Sequence, residues 1–286
     1  VDHVDETMRG TRAGSWRARL ELGFERSGPS TILRVQKHEG PLVVQRPFYP
    51  EGDVCHAYVL HPPGGVVAGD SLHLHVRADA GAHALITTPA AGKFYRSEGA
   101  TATVRQDFEL RDANLEWLPQ ESIYFPRARV DVRSTIRLGG SARFLGWEIA
   151  CLGLPARGES FDSGTVHQGV SVLREGSPVL LEAQELDPEV VAGRWGMRRQ
   201  GSIGTMIAVP ADESMLAAAR ASADLEANAR DAGNELLACT LVDGILVCRG
   251  LAARGERLRN AFAGIWRAIR PRLLGRGAVS PRIWAT

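Results

Sequence analysis

The chain has 286 residues, and 34 Lys and Arg against 33 Asp and Glu leave a formal net charge of +1. That balance excludes a general nucleic-acid binder, whose affinity rests on excess positive charge. A 44% apolar and 23% charged composition is that of a folded globular protein rather than a disordered one, and no apolar run approaches the ~20 residues that span a bilayer.

From residue 15 to about 210 the pattern is strand-like. The alternation over 17–22 opens it, and runs of strand length follow at 54–60, 71–76, 84–88, 101–110, 114–118, 130–138, 142–152, 169–172 and 179–186. Gly, Pro, Asp and Ser clusters separate them at the spacing of an all-β fold. Asp212 then stands where it can N-cap an Ala-rich helix over 213–223. Two apolar runs, 236–242 and 245–249, flank Asp243-Gly244, a two-residue hairpin signature whose register sets Cys239 opposite Cys248. Leu258, Phe262, Ile265, Trp266 and Ile269 recur at helical spacing, which predicts a last helix that stops or kinks at Pro271. With no internal repeat and no linker, the expectation is one mainly β domain over 1–286. Its many-stranded β-rich body (stacked sheets, sandwich- or solenoid-like) covers 15–210. A helix-hairpin-helix part over 211–286 packs on that body, giving two α-helices near the C-terminus.

Cys55, Cys151, Cys239 and Cys248 form no CxxC pair, so no structural zinc cage is expected. The first sixteen residues hold no apolar core of the signal-peptide kind. The chain is therefore expected to be cytoplasmic with reduced thiols.

Catalytic motifs are missing. Gly92-Lys93 lacks the glycine spacing of a P-loop, Gly201-Ser202-Ile203-Gly204 is not a nucleophile elbow, and His38-Glu39 does not continue as HExxH. No GxGxxG opens a helix, and the eight histidines do not group as a zinc triad. Three segments are instead dense in unusual residues. The first is Arg46-Pro-Phe-Tyr-Pro-Glu-Gly, running through Cys55-His56 to His61-Pro-Pro-Gly-Gly-Val-Val-Ala-Gly-Asp70. The second is Thr87-Thr-Pro-Ala-Ala-Gly-Lys-Phe-Tyr-Arg-Ser97, and the third is Leu115-Glu-Trp-Leu-Pro-Gln-Glu121.

Taken in order with Leu145-Gly-Trp-Glu148 and the closing Pro281-Arg-Ile-Trp-Ala-Thr286, these segments closely resemble the UreD (UreH) family of urease accessory proteins, from about Trp16 to Thr286. Ala68, Ala90 and Gly92 depart from the family's usual residues. The resemblance implies a β-rich protein with no enzymatic activity of its own and no permanently bound cofactor. It implies three partners: UreF, the GTPase UreG that UreF recruits, and urease apoprotein. It also implies transient Ni²⁺, routed through an internal tunnel to the urease active site. A purely structural adaptor with no nickel handling is the alternative.

A nickel conduit needs ligands that bind and release, and imidazole and carboxylate suit that better than a thiolate cage. Glu148 lies in a run apolar on both faces, so it is expected to be buried, with either an Arg or Lys partner or a travelling cation. Asp70 reads as a turn or capping residue, and its family match makes it a tunnel or mouth candidate. Glu182 is a further candidate in a shorter matching segment, and Lys93 is a possible partner for a buried carboxylate. Cys55, His56 and His61 are the most metal-like local set, although in an extended strand His56 points away from the other two. His73 and His75 share a strand face. Partner binding is expected from the C-terminal part, through Phe262, Trp266, Arg282 and Trp284.

Overall fold

The computed structural model describes residues 15–228 and 236–285. The chain opens with β1 (Arg17–Ser27), β2 (Ser30–Glu39), β3 (Val43–Val44), β4 (Cys55–Leu60), β5 (Ser71–Ala78) and β6 (His83–Thr87). It continues through β7 (Gly92–Phe94), β8 (Ala102–Arg111), β9 (Asn114–Trp117), β10 (Ser122–Tyr124), β11 (Arg129–Gly139), β12 (Arg143–Leu152), β13 (Thr165–Arg174) and β14 (Ser177–Leu186). The last part holds α1 (Pro188–Ala192), β15 (Ser202–Val209), α2 (Glu213–Asn228), β16 (Leu236–Val242), β17 (Ile245–Ala252) and α3 (Gly255–Leu274).

The strands form two large sheets. The first runs β14-β13-β11-β8-β5-β1-β2, and the second runs β16-β17-β15-β12-β9-β6-β4-β3, with β10 and β7 joined beside β12. Between β4 and β13 the chain crosses repeatedly from sheet to sheet. β5, β8, β11 and β13 pair in parallel in the first sheet, while β4, β6, β9 and β12 do so in the second. Parallel neighbours need a crossover connection, and here the crossover carries a strand of the other sheet. The body is therefore a solenoid of stacked coils. Antiparallel strands finish it: β2 and β14 at the ends of the first sheet, and β15, β17 and β16 beyond β12 in the second.

Alternation along each strand divides the apolar residues between two cores. Phe24, Val76, Phe108 and Ile136 of the first sheet meet Ile86, Leu115, Phe144 and Ile207 of the second in the space between the sheets. Leu145, Trp147 and Ile149 point the other way and pack with Phe262, Ile265, Trp266 and Ile269 of α3. β12 is thus covered on both faces, as its sequence predicts. Burying each such large side chain contributes ~1.5–3 kcal/mol.

The C-terminal elements form as expected, with one correction. Asp212 accepts the Met215 N–H at 2.9 Å and caps α2. Asp243 (φ 47) and Gly244 (φ 75) make the β16–β17 turn, and Cys239 faces Cys248. α3 does not stop at Pro271 but runs to Leu274 and closes on Gly275, whose left-handed backbone returns its N–H to the Pro271 carbonyl. Pro271 lies in the last turn, so it deletes one late N–H, and the burial of Ile269, Leu273 and Leu274 carries the helix past it. Among the described residues no helix is long and apolar enough to cross a membrane.

Candidate functional site

A polar layer interrupts the core between the sheets. Core-facing stripes of four strands of the first sheet are apolar except for Gln106 in β8, Ser134 in β11, Gln168 in β13, and Glu182 and Gln184 in β14. Register places Gln106, Ser134, Val170 and Glu182 side by side across that sheet. In the facing sheet Glu148, Thr205 and Arg249 form a matching row. The two rows touch twice. Ser134 Oγ donates to Glu148 Oε1 at 2.5 Å, and the Arg249 guanidinium donates to Glu182.

Glu148 is the electrostatic oddity of this layer. Among the described residues no Lys, Arg or His forms an ion pair with it; its one hydrogen bond is from Ser134. Burial pushes its carboxyl above the ordinary carboxylate range, and the Ser134 hydroxyl only partly offsets that. The side chain keeps some accessible surface because it faces a void, while the surrounding protein encloses it on a larger scale.

Two cavities meet at this residue. One, of about 410 Å³, is lined by Glu148, Ser134, Gln168, Glu182 and Arg249 among apolar neighbours. The other, of about 450 Å³, is lined by His61, Lys93, Gln106, Tyr124, Gln168 and Glu148. They share Trp117, Glu148 and Gln168. Gln184 Nε2 donates to Gln168 Oε1 at 2.9 Å, which orients the Gln168 amide. Burial, then the nearby Glu148, push the Tyr124 phenol up, so it stays neutral. Both spaces carry a few polar groups on a mainly apolar lining and have room for water.

The other candidates divide. Asp70 is buried, and its carboxylate accepts the N–H groups of Trp16 at 2.8 Å and Val67 at 2.9 Å. That is the turn-and-cap role, and Asp70 lines neither cavity. Cys55, His56 and His61 diverge. Cys55 lies in the inter-sheet core with its thiol pushed up to about 11 by burial. His56 turns away, its Nε2 2.8 Å from Glu51 Oε1. His61 faces the second cavity, and burial pulls its imidazole down against the opposing charge of Asp70. Among the described residues no three His, Cys, Asp or Glu side chains converge into a metal cage. Lys93 is exposed and makes no ion pair with Glu148. His73 and His75 each pair with an acid on the outer sheet face, Asp107 at 2.9 Å and Glu109 at 3.5 Å.

The expected partner contacts are corrected for two residues. Phe262 and Trp266 are both 0% exposed and belong to the core under α3. Trp284 is half-buried, its ring 5.8 Å from Trp147 and 5.6 Å from Trp266, with Nε1 donating to Thr87 Oγ1 at 3.1 Å. Only Arg282 of the four is exposed.

The dense sequence motifs serve a buried ionic clasp that sequence reading missed. Arg270 of α3, itself 0% exposed, donates to both oxygens of Glu116 at 2.9 Å and to both of Glu51 at 2.8 Å. Trp266 Nε1 donates to Glu116 Oε2 at 2.6 Å, and His83 Nε2 lies 2.9 Å from Glu116 Oε1. Burial alone would raise the Glu116 carboxyl, but the bonds from His83 and Arg270 outweigh it and hold it at about 2. Glu51 belongs to the Arg46–Gly52 motif and Glu116 to the Leu115–Glu121 motif. Glu116 carries the signal that marked Glu148, a carboxylate within apolar sequence, whereas Glu51, between Pro50 and Gly52, carries none.

Comparison with known proteins comes to one family. A family model described as UreD urease accessory protein matches residues 17–285. The urease accessory protein UreD of Citrobacter koseri is 40% identical over 285 residues, 99% of this chain and 96% of that protein. Its counterpart in Pseudomonas putida W619 is 43% identical, covering 95% of each. That of Klebsiella aerogenes is 40% identical, covering 95% of this chain and 97% of the relative.

Proposed function

We infer the function from one premise: the chain belongs to the UreD family of urease accessory proteins, which act in urease maturation and are not themselves enzymes. We propose that it holds UreF and the GTPase UreG on urease apoprotein in the cytoplasm, and that Ni²⁺ passes through the space between its sheets as cargo. The observation that carries the second part is Glu148, a carboxylate with no ion-pair partner among the described residues, at the junction of two cavities.

The chemistry follows from that environment. A carboxyl raised by burial is readily neutral, and an arriving divalent cation displaces its proton. Ser134, Gln106, Gln168 and Gln184 add neutral oxygen donors beside it. One carboxylate with neutral oxygens is a weak ligand set for Ni²⁺, compared with imidazole or thiolate. The ion keeps part of its water and moves on. Glu182 supplies the second carboxylate of the layer, with its charge balanced by Arg249. Asp70 acts at a distance, by shaping the turn that carries His61 and its neighbours to the second cavity.

For the scaffold role, the surface matters. Trp195 is 93% exposed on a loop that is held from within. Met197 N–H bonds the Val190 carbonyl, Arg199 N–H bonds the Val191 carbonyl, and the Met197 side chain is buried. The Arg194 guanidinium lies over the indole, 5.3 Å from its centre, Arg198 and Arg199 are exposed on the same loop, and exposed Trp and Arg are the residue types that dominate protein interfaces. We assign this loop, together with Arg282, to partner contact. The test is co-expression of urease and its other accessory proteins with and without this chain. Urease that reaches full nickel content in its absence overturns the role.

A further inference from the structure

We infer that Cys239 and Cys248 form a redox-active dithiol, oxidised by low-molecular-weight disulfides to an intrachain disulfide across the β16–β17 hairpin. The inference does not rest on the nickel role.

Register comes first. The two-residue turn Asp243-Gly244, with both residues in the left-handed region, closes on Val242 opposite Ile245. In such a hairpin the closing pair is hydrogen-bonded, and pairs alternate from there. Leu241/Leu246 is then a non-hydrogen-bonded pair, Thr240/Val247 a hydrogen-bonded one, and Cys239/Cys248 again non-hydrogen-bonded. At such positions the Cα atoms stand ~4.5 Å apart, within the range a disulfide spans. The backbone agrees: the Cys239 carbonyl points away from β17 and accepts Arg220 Nε at 3.2 Å.

The two positions are also unequal. Cys239 lies on the edge strand with the Arg220 guanidinium beside it, which favours its thiolate. Cys248 lies on the inner strand β17, fully buried, and burial disfavours its thiolate. Cys55 and Cys151 have no cysteine partner, and burial pushes each to about 11. Cys239 is therefore the attacking thiol. Its thiolate displaces one thiolate from the oxidant and forms a mixed disulfide. Cys248 then loses its proton, attacks the Cys239 sulfur and expels the second thiolate. One small disulfide is reduced to two thiols, and the protein loses two hydrogens. β16 is an edge strand whose neighbouring Ala238 and Thr240 are exposed, so local opening at that edge admits the oxidant.

The experiment incubates the full chain with oxidised glutathione, blocks free thiols with an alkylating agent and maps the peptides by mass spectrometry. The expected product is a 239–248 disulfide with Cys55 and Cys151 alkylated. In C248S the expected product is a glutathione adduct at Cys239 that forms at least ~10-fold faster than one at Cys55. Wild-type protein that stays folded by circular dichroism, with Cys239 and Cys248 both alkylated, overturns the inference. So does reaction at Cys55 or Cys151 as fast as at Cys239.

Discussion

Replacing Arg270 by Met removes the cation of the buried clasp and little of its bulk. Glu116 keeps Trp266 and His83, and Glu51 keeps His56 and a longer contact with Arg276 at 3.8 Å, but the four hydrogen bonds from the guanidinium to the two carboxylates are lost. Removing one partner of a buried pair costs about 3–5 kcal/mol, because the remaining charge is stranded. Here two carboxylates, 0% and 5% exposed, are stranded together. The expected loss is at least about 3 kcal/mol, a large share of the roughly 5–15 kcal/mol that holds a domain folded. Arg276→Met is the control. Arg276 binds both oxygens of Asp53, at 2.7 and 2.8 Å, and reaches Glu51 only at 3.8 Å, too far for a hydrogen bond; the Arg276 and Asp53 side chains are both 31% exposed. Its loss is expected to cost about 1 kcal/mol or less. Urea denaturation measures both, with the m-value checking that the transition stays two-state. A cost for R270M within ~0.5 kcal/mol of that for R276M would refute the reasoning. The pH dependence has a definite sign. Glu116 is held at about 2 against an ordinary value of 4.5, so its contribution is present above about pH 4.5 and fades as pH falls towards 2. E116Q is expected to flatten that acid limb.

Glu148 has the opposite sign. Its folded-state carboxyl is raised, so the wild type loses stability as pH climbs from the ordinary carboxylate range through the raised value. E148Q is expected to melt with the wild type near about pH 4 and above it near about pH 8; parallel melting curves across that range would count against a desolvated carboxylate. W195A is expected to leave the melting temperature unchanged while weakening capture of the partner complex by roughly tenfold in a pull-down. Unchanged capture would remove the loop from the interface.

The run around Glu148 was legible in sequence because both faces of β12 are apolar, and the structure buries both. The hairpin register was equally legible, since Asp-Gly between apolar runs admits one tight turn. What sequence could not supply was who faces whom across the sheets. Ser134, rather than Lys93, meets Glu148, because a solenoid brings together residues on strands that never pair with one another. The polar interruptions at Gln106, Ser134, Gln168 and Glu182 were readable in each strand, but only the stacking of coils makes them one layer. β2 left no pattern to read: apart from Thr31, its side chains are half-buried or exposed, and Lys37, His38 and Glu39 end it. Phe262 and Trp266 illustrate the reverse error. Helical spacing marks an apolar stripe, and the stripe alone does not say whether the second sheet or another protein covers it.

The most direct test fills the junction of the cavities. Glu148→Leu replaces the carboxylate by a branched apolar side chain, in the variant co-expressed with urease and the other accessory proteins. The complex is purified to show that it assembles, and the nickel content of urease is measured by mass spectrometry. Passage of Ni²⁺ between the sheets requires an assembled complex with urease that is largely empty of nickel. Fully loaded urease on an intact complex would contradict it and leave the protein as an adaptor alone.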